Sequence, residues 1–508
     1  MLEFQKKISK YRWTICALVF FATTVNYLDR QVLSLLKSNL EVQFNWSDSD
    51  YANIVSAFQF VYAISMLFAG RIVDWLGTKL GYAWSLIIWS VAAMSHALAR
   101  GTGGFMVARG LLGFGESGNF PAANKAIAEW FPKKERALAI GIFNSGTNIG
   151  AILAPLVVPW IVKNLGWQAA FLIIGGIGFT WLIFWFWLYE IPSRSKRISK
   201  TEYDYIHADN LEGSKNYVAE NTEKVPWRKL LQYKQTWAFS FGKFMTDGVW
   251  WFYLFWLPAY LKAQYGMTGM QVAFPLAVLY TLATVGSITG GLFPMYFIKK
   301  GYEPYAGRMK AMMFIAMIPL VVLSAQYLGS ISYWMPVIII GIGTAAHQAW
   351  SANIFTTVSD MFPKKTIASV TGIGGMAGGL GGIFVNKAAG WIFDGYRSAG
   401  IARSWIEAQG QNLGDFLEKI KSMTLVNLHN DIINLDKVEL SNLPASITQQ
   451  LQTIDPVRFE QLKAIQMPIV HGNMTIAYTF VFVFCAVAYL IAWAVMHFLV
   501  PKWKKIEL

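Results

Sequence analysis

The chain has 508 residues, of which 55% are hydrophobic, 16% aromatic and only 14% charged, against about 25% charged in an ordinary soluble domain. That balance excludes a soluble globular enzyme and fits an all-α chain that crosses a bilayer repeatedly, with lipid as its outer solvent. The net charge of +14 does not imply nucleic acid. Lysines and arginines crowd one set of alternate connections, whereas the short loops opposite carry Lys37, Arg100, Lys163 and Lys262. By the positive-inside rule both termini are then cytoplasmic, in an inner membrane.

Twelve apolar segments are long enough to span, at about 13–36, 52–73, 80–98, 105–128, 137–162, 169–189, 237–261, 271–298, 310–328, 335–359, 366–393 and 473–499. The first is read as a retained helix rather than a signal peptide, because no small-residue cleavage site follows it. Near its middle Asp29 and Arg30 stand side by side. An ionised side chain at the bilayer centre costs roughly 2.5–3.5 kcal/mol on insertion scales, so such a pair persists only against a protein interior or a wet cavity.

A polar stretch at 191–236 separates two sets of six spans, dividing the chain into an N-terminal bundle (1–190), a connecting loop and a C-terminal bundle (237–508). The two sets are related. Glu129-Trp130-Phe131-Pro132-Lys133-Lys134 returns 231 residues later as Asp360-Met361-Phe362-Pro363-Lys364-Lys365, and Gly141, Gly150 and Ile152 meet Gly372, Gly381 and Ile383 at the same offset. A parallel repeat of this kind places a substrate site between the halves near the midplane. Residues 394–470 form an external insert, in which Leu413–Leu428 and Ile447–Ile465 show apolar residues three and four apart. They read as amphipathic helices lying over the external mouth or on the membrane surface, a passive cap by default with a lid and a partner dock as open alternatives.

Two arginines are embedded in spans, Arg30 and Arg109. Guanidinium grips a carboxylate in bidentate fashion, which suits an organic anion. Seven residues separate Arg109 from Glu116, two turns or about 10.5 Å, which puts both on one helix face. Asp29 and Glu116 are candidate proton-coupling groups, since burial and a nearby arginine pull a carboxyl in opposite directions. Glu116 shifted by 231 lands on His347, so Gln348, Ser351 and Asn353 join it as candidate partners for substrate hydroxyls, with Tyr62, Asn144 and Asn148 from the first half. Trp350 or Tyr27 could stack on a sugar ring. Each of these also has a plain packing reading. Lys243 and Asp247, four apart, are expected to satisfy one another, and Lys125 and Lys387 to snorkel.

Gly70-Arg71-Ile72-Val73-Asp74-Trp75-Leu76-Gly77-Thr78-Lys79 resembles the loop signature between helices two and three of the major facilitator superfamily, which implies conformational gating by Asp74, Gly70 and Gly77. Asn26-Tyr27-Leu28-Asp29-Arg30, the Ala108–Glu116 run, Glu129–Arg136 and Ala346–Asn353 resemble the anion:cation symporter family, and within it the bacterial hexuronate transporters. The resemblance implies two pseudo-symmetric six-helix bundles and alternating-access symport of a sugar acid, such as a hexuronate, with protons. A monomer with no cofactor, metal or nucleic-acid partner is expected. No phosphate-binding Gly-x-x-x-x-Gly-Lys-Ser/Thr element or hydrolase motif occurs. An exchanger, a uniporter, a sodium-coupled carrier and a transporter-like sensor remain open alternatives.

Overall fold

The computed structural model describes residues 10–212, 225–411, 413, 415, 456–502 and 506. Among them the backbone is helical nearly throughout and contains no strand, as a bilayer requires when every peptide group must be satisfied within its own segment. The first half comprises α1 (Tyr11–Phe44), α2 (Asp48–Ser95), α3 (Thr102–Glu116), α4 (Asn119–Trp130), α5 (Lys133–Leu165) and α6 (Trp167–Leu188). Two connector helices follow, α7 (Lys200–Glu212) and α8 (Trp227–Leu230). The second half holds α9 (Lys234–Tyr265), α10 (Ala273–Gly290), α11 (Leu292–Lys299), α12 (Pro304–Met317), α13 (Ala325–Gly329), α14 (Trp334–Met361), α15 (Lys364–Gly410) and α16 (Pro456–Leu499). Grouped by the expected spans, these helices make twelve crossings.

Six helical stretches among the described residues are long and apolar enough to cross a membrane on length and composition alone. The crossings outside that set are α1, α3 with α4, α9, α14 and α15. Four of these carry the buried ionisable groups Asp29, Arg30, Arg109, Glu116, Lys243 and His347. Loss of apolarity therefore marks the helices whose polar faces turn inward rather than toward lipid.

The loop expected at residues 70–79 is reduced to a single reversal. Spans two and three, together labelled α2, are two helices that meet at Gly77, whose φ of 76° and ψ of 160° leave the helical region, a conformation glycine adopts without strain, and Gly81 lies against Val73 across it. In span four, by contrast, Ser117 and Gly118 keep right-handed helical angles, so α3 and α4 join through a helical turn. A Cβ on Gly115 would lie 2.5 Å from the Trp89 nitrogen, so the helix sits directly against the α2 backbone.

The internal repeat is visible in the backbone. Phe131 (φ −123°, ψ 136°) and Phe362 (φ −108°, ψ 146°) each end a helix in extended conformation, forced there by the following proline. Pro132 and Pro363 then cap α5 and α15 with nearly equal angles. Gly150 and its repeat mate Gly381 serve the same purpose: a Cβ would meet the Thr24 carbonyl oxygen at 2.4 Å in one half and that of Phe244 at 1.9 Å in the other. Each lets a helix close on the first helix of its own bundle.

The face bearing Tyr11 and Ile506 (the terminal face) is laced by ion pairs. Arg12 bridges Glu135 and Glu202 at 2.8 and 3.0 Å, Arg308 meets Asp360 at 2.9 Å, and Lys79 pairs with Glu190 at 2.8 Å. Through that hydrogen bond Lys79 holds the Glu190 carboxyl below its ordinary range. The opposite face bears the insert. There α15 continues past residue 393 to Gly410, and α16 starts at Pro456, well before residue 473. The two extensions pack together: Asn473 Nδ2 donates to the Tyr396 carbonyl at 3.0 Å, and Gly400 lies against Val470. The described part of the insert is thus a helical stalk continuous with spans eleven and twelve, not a pair of separate surface helices. Nearly all of Leu413–Leu428, and Ile447–Ile465 before Pro456, lie outside the described residues.

Candidate functional site

Arg30 sits two-thirds of the way along α1 with 1% of its surface exposed. Its Nε donates to Glu116 Oε2 on α3 in a short, wholly buried ion pair. Four aromatic rings surround the guanidinium: Tyr27 at 4.5 Å, Tyr62 at 4.9 Å, Phe58 at 5.2 Å and Trp251 at 5.5 Å. Trp251 belongs to α9, so the cage is closed by the opposite bundle. Such contacts stabilise a desolvated cation by about 2 kcal/mol where geometry is good.

Arg109, two turns from Glu116 on α3, donates through Nη2 to the carbonyl oxygen of Arg30 at 3.0 Å. The two-turn spacing therefore brings Arg30, Arg109 and Glu116 into one cluster. Asp29 is 3% exposed and lies within electrostatic range of Glu116 and Arg109. What distinguishes the cluster is incompleteness. Both oxygens of Asp29, both side-chain polar atoms of Asn26, Arg30 Nη2, Arg109 Nε and Nη1, Glu116 Oε1 and Asn148 Oδ1 are buried without a hydrogen-bond partner. A buried unsatisfied group costs roughly 1–3 kcal/mol, more when charged. Such atoms concentrate where a ligand, water or a second conformation completes them.

The remaining candidates divide. Tyr62 and Asn148 are buried, Tyr27 half-buried and Asn144 exposed. On α14, His347 is buried, shares a 2.8 Å hydrogen bond with the Tyr489 hydroxyl and stacks on Trp250 at 5.0 Å. Gln348 and Ser351 are half-buried. Trp350 is fully buried, edge-on to Tyr489 at 5.7 Å. Asn353 is consumed by packing: it donates to the carbonyls of Gly290 and Ala349 at 2.9 and 2.8 Å and accepts from Arg308. The expected Lys243–Asp247 pair is present at 2.7 Å, with the ammonium 4.3 Å above the Phe355 ring.

Asp74 is exposed and pairs with Lys125 at 2.8 Å, so Lys125 bridges to α2 instead of merely snorkelling. Gly70 faces open space and Gly77 supplies the turn. Sequence reasoning missed Gln59 and Asn386, amides in apolar spans two and eleven, which meet across the bundles at 3.2 Å. It also missed a charge cluster at the insert face. There Lys37 pairs with Glu41 and, at 2.7 Å, with Asp48. Asp48 also takes Arg397 at 3.1 Å, and Asp394 accepts from the backbone N–H groups of Asp48 and Ser49 at 2.8 Å. An acid, Asp48, beside the capping-box residue Ser47 was the available signal.

Hydrogen bonds described between the bundles all lie in the insert half: Gln31 to Tyr280, Tyr51 to the Phe255 carbonyl, Gln59 with Asn386, and the Asp48 cluster. Close approach of α2 to α15 follows the same pattern, with Ala52 against Gly390 and Ala63 against Gly379. Toward the terminal face, a Cβ on Gly70, Gly372 or Gly375 would meet nothing within 4 Å. The described contacts between the bundles thus gather in the insert half, and no hydrogen bond between them is described toward the terminal face.

Two helical bundles, with a charge cluster buried in the first and covered by Trp251 of the second, have the architecture of a membrane carrier. Residues 19–386 match the Major Facilitator Superfamily, and the chain belongs to that superfamily of transporters. It is 32% identical over 378 residues to the hexuronate transporter of Escherichia coli strain K12, covering 74% of this chain and 86% of the relative. It is 35% identical over 294 residues to the galacturonate transporter of Dickeya chrysanthemi, covering 58% and 84%. Among solved structures, a bacterial homolog of the human lysosomal transporter Spinster superposes with a TM-score of 0.69 over 98% of this chain and 100% of its own, at 17% identity.

Proposed function

We propose that this transporter carries a hexuronate or closely related sugar acid inward together with protons, by alternating access between bundles 1–190 and 237–508. The observation that carries the reading is the caged Arg30 held by Glu116 amid unsatisfied buried polar atoms. Names of the relatives supply the substrate class. Protonation of Glu116, with Asp29 assisting, releases Arg30. The substrate carboxylate takes its place in bidentate fashion, with Arg109 completing the charge balance. Proton and anion then travel as a neutral addition to a buried site, which avoids stranding a charge in low dielectric.

Tyr27, Tyr62 and Trp251 offer aromatic faces to the sugar ring. Asn144, Asn148, Gln348, Ser351 and His347 supply hydroxyl partners from both bundles, so closure on the sugar draws the bundles together. Asn353, its hydrogen bonds spent, holds α14 in place, whereas Trp350, whose buried Nε1 has no partner, is kept as a stacking partner for the sugar. With the terminal face cytoplasmic, contacts confined to the insert half support an inward-facing assignment, and Asp74 with Lys125 belongs to the opposite gate. The test is uptake of hexuronates, aldonates and neutral sugars into proteoliposomes, with and without an imposed pH gradient. Hexuronate accumulation driven by an acidic exterior is expected; uptake indifferent to the gradient would replace symport with exchange.

A further inference from the structure

A groove of about 720 Å³ opens toward lipid at the seam between the bundles. Asn53, Ser56 and Val61 of α2 form one wall, Val107 and Phe114 of α3 continue it, and Lys387 of α15 closes its upper end. From Asn53 to Val61 the wall descends eight residues, or about 12 Å, most of one leaflet of a hydrocarbon core about 30 Å thick. The lining is otherwise apolar.

Two polar features at the upper end have no use in transport. The half-buried Lys387 ammonium has no carboxylate, carbonyl or ring partner among the described residues. The nearby carboxylates Asp48 and Asp394 are taken up by Lys37, Arg397 and the start of α2. The Ser56 hydroxyl, 5% exposed, is buried without a hydrogen-bond partner. A cation and a hydroxyl donor at interface depth, above an apolar channel one leaflet deep, match a phosphate headgroup above an acyl chain.

We propose that this groove binds one anionic phospholipid from the insert-side leaflet, its phosphate on Lys387 and its chain along α2 and α3. Because Lys387 and Ile383 come from one bundle and the remaining walls from the other, the site is complete only while the insert-face ends are in contact. Bound lipid therefore favours the arrangement described here. The proposal is independent of which anion is transported.

The test is native mass spectrometry of the detergent-solubilised full chain titrated with phosphatidylglycerol or phosphatidylcholine of matched chains. The wild type is expected to bind one phosphatidylglycerol about fivefold more tightly than phosphatidylcholine, the effect of a single interfacial lysine. Lys387→Met should erase the preference, Lys387→Arg should keep it, and Ala57→Phe, which fills the channel, should weaken both lipids. Equal retention of the two lipids by the wild type, or a preference that survives Lys387→Met, would overturn the proposal. So would full competition by glycerol phosphate, which lacks the chain and would leave only an anion site.

Discussion

Glu116→Gln separates proton coupling from substrate binding, and the structure sets the size of the effect. In the proposed mechanism an incoming carboxylate displaces Glu116 from Arg30, where both side chains are buried to within 1% of their surface. Protonation of Glu116 removes that competitor, so on this proposal the protonated carrier is the form that takes the anion. If one proton enters with each anion, binding loses 1.36 kcal/mol for each pH unit above the coupling range, so the Kd rises about tenfold per unit. The substitution replaces the ionisable group by a neutral amide of the same shape. Its Kd should be flat with pH and close to the acid limit of the wild type, counterflow should persist, and gradient-driven accumulation should fail. The assay is substrate binding by isothermal calorimetry from about pH 5 to pH 8, paired with uptake and counterflow in proteoliposomes. Loss of the counter-charge to Arg30 costs up to about 3–5 kcal/mol of stability, so thermal unfolding is followed in parallel. A variant that keeps the wild-type pH slope while Asp29→Asn loses it would move the coupling role to Asp29. Slopes retained by both would refute the mechanism.

Arg30→Ala should abolish substrate binding while Asn353→Ala, which breaks only packing bonds, should lower stability by about 1–2 kcal/mol and leave affinity nearly unchanged; calorimetry and thermal unfolding distinguish them. Asp48→Asn removes the acid shared by Lys37 and Arg397 and should shift the carrier about tenfold toward opening at the insert face, as expected for about 1.4 kcal/mol. Maleimide labelling of Ala52→Cys, facing Gly390, reads the shift as faster modification. Lys243→Met strands Asp247 and should cost about 3 kcal/mol, whereas Lys243→Met with Asp247→Asn should recover most of it, a coupling that a double-mutant cycle measures. Gly150→Ala and Gly381→Ala push a methyl into the backbones of α1 and α9 and should each cost about 1–3 kcal/mol and transport rate, while Gly141→Ala, with open space beside it, should be near neutral.

The architecture was legible because bilayer physics leaves few alternatives. Length and apolarity placed the spans, and the Phe-Pro-Lys-Lys repeat declared the pseudo-symmetry before any coordinates, since a residue before proline has little choice but to end its helix. Details that depend on one residue's dihedral angles were not legible. Nothing in the composition of residues 70–79 says that the loop shrinks to a reversal at Gly77 with helix on either side, and nothing at Ser117-Gly118 sets off the turn that joins α3 to α4. The insert misled for a related reason. An amphipathic pattern reports that a helix has an apolar side, not whether it lies on a membrane or continues a span, and here Gly400 and Asn473 show that the apolar side of one extension meets the other.

For the site, the charged residues were readable and their partners were not. A carboxylate or guanidinium in an apolar helix announces itself by its cost, and Asp29, Arg30, Arg109 and Glu116 do lie together. An amide carries no such penalty, so Asn353 looked as suitable as Asn148. Only the coordinates separate a side chain whose hydrogen bonds are spent from one whose bonds are still to be made: Asn353 has three, and Asn148 Oδ1 has none. That difference also explains how a carrier tolerates so much unsatisfied polarity at its centre. The insert-face contacts, from Gln59 and Asn386 to the Asp48 cluster, hold the bundles together in one arrangement, while the polar atoms around Arg30 are left unsatisfied, to be completed, on the proposed mechanism, by proton and anion. A site completed inside either bundle would bind tightly and stay still; one completed only between them couples binding to motion.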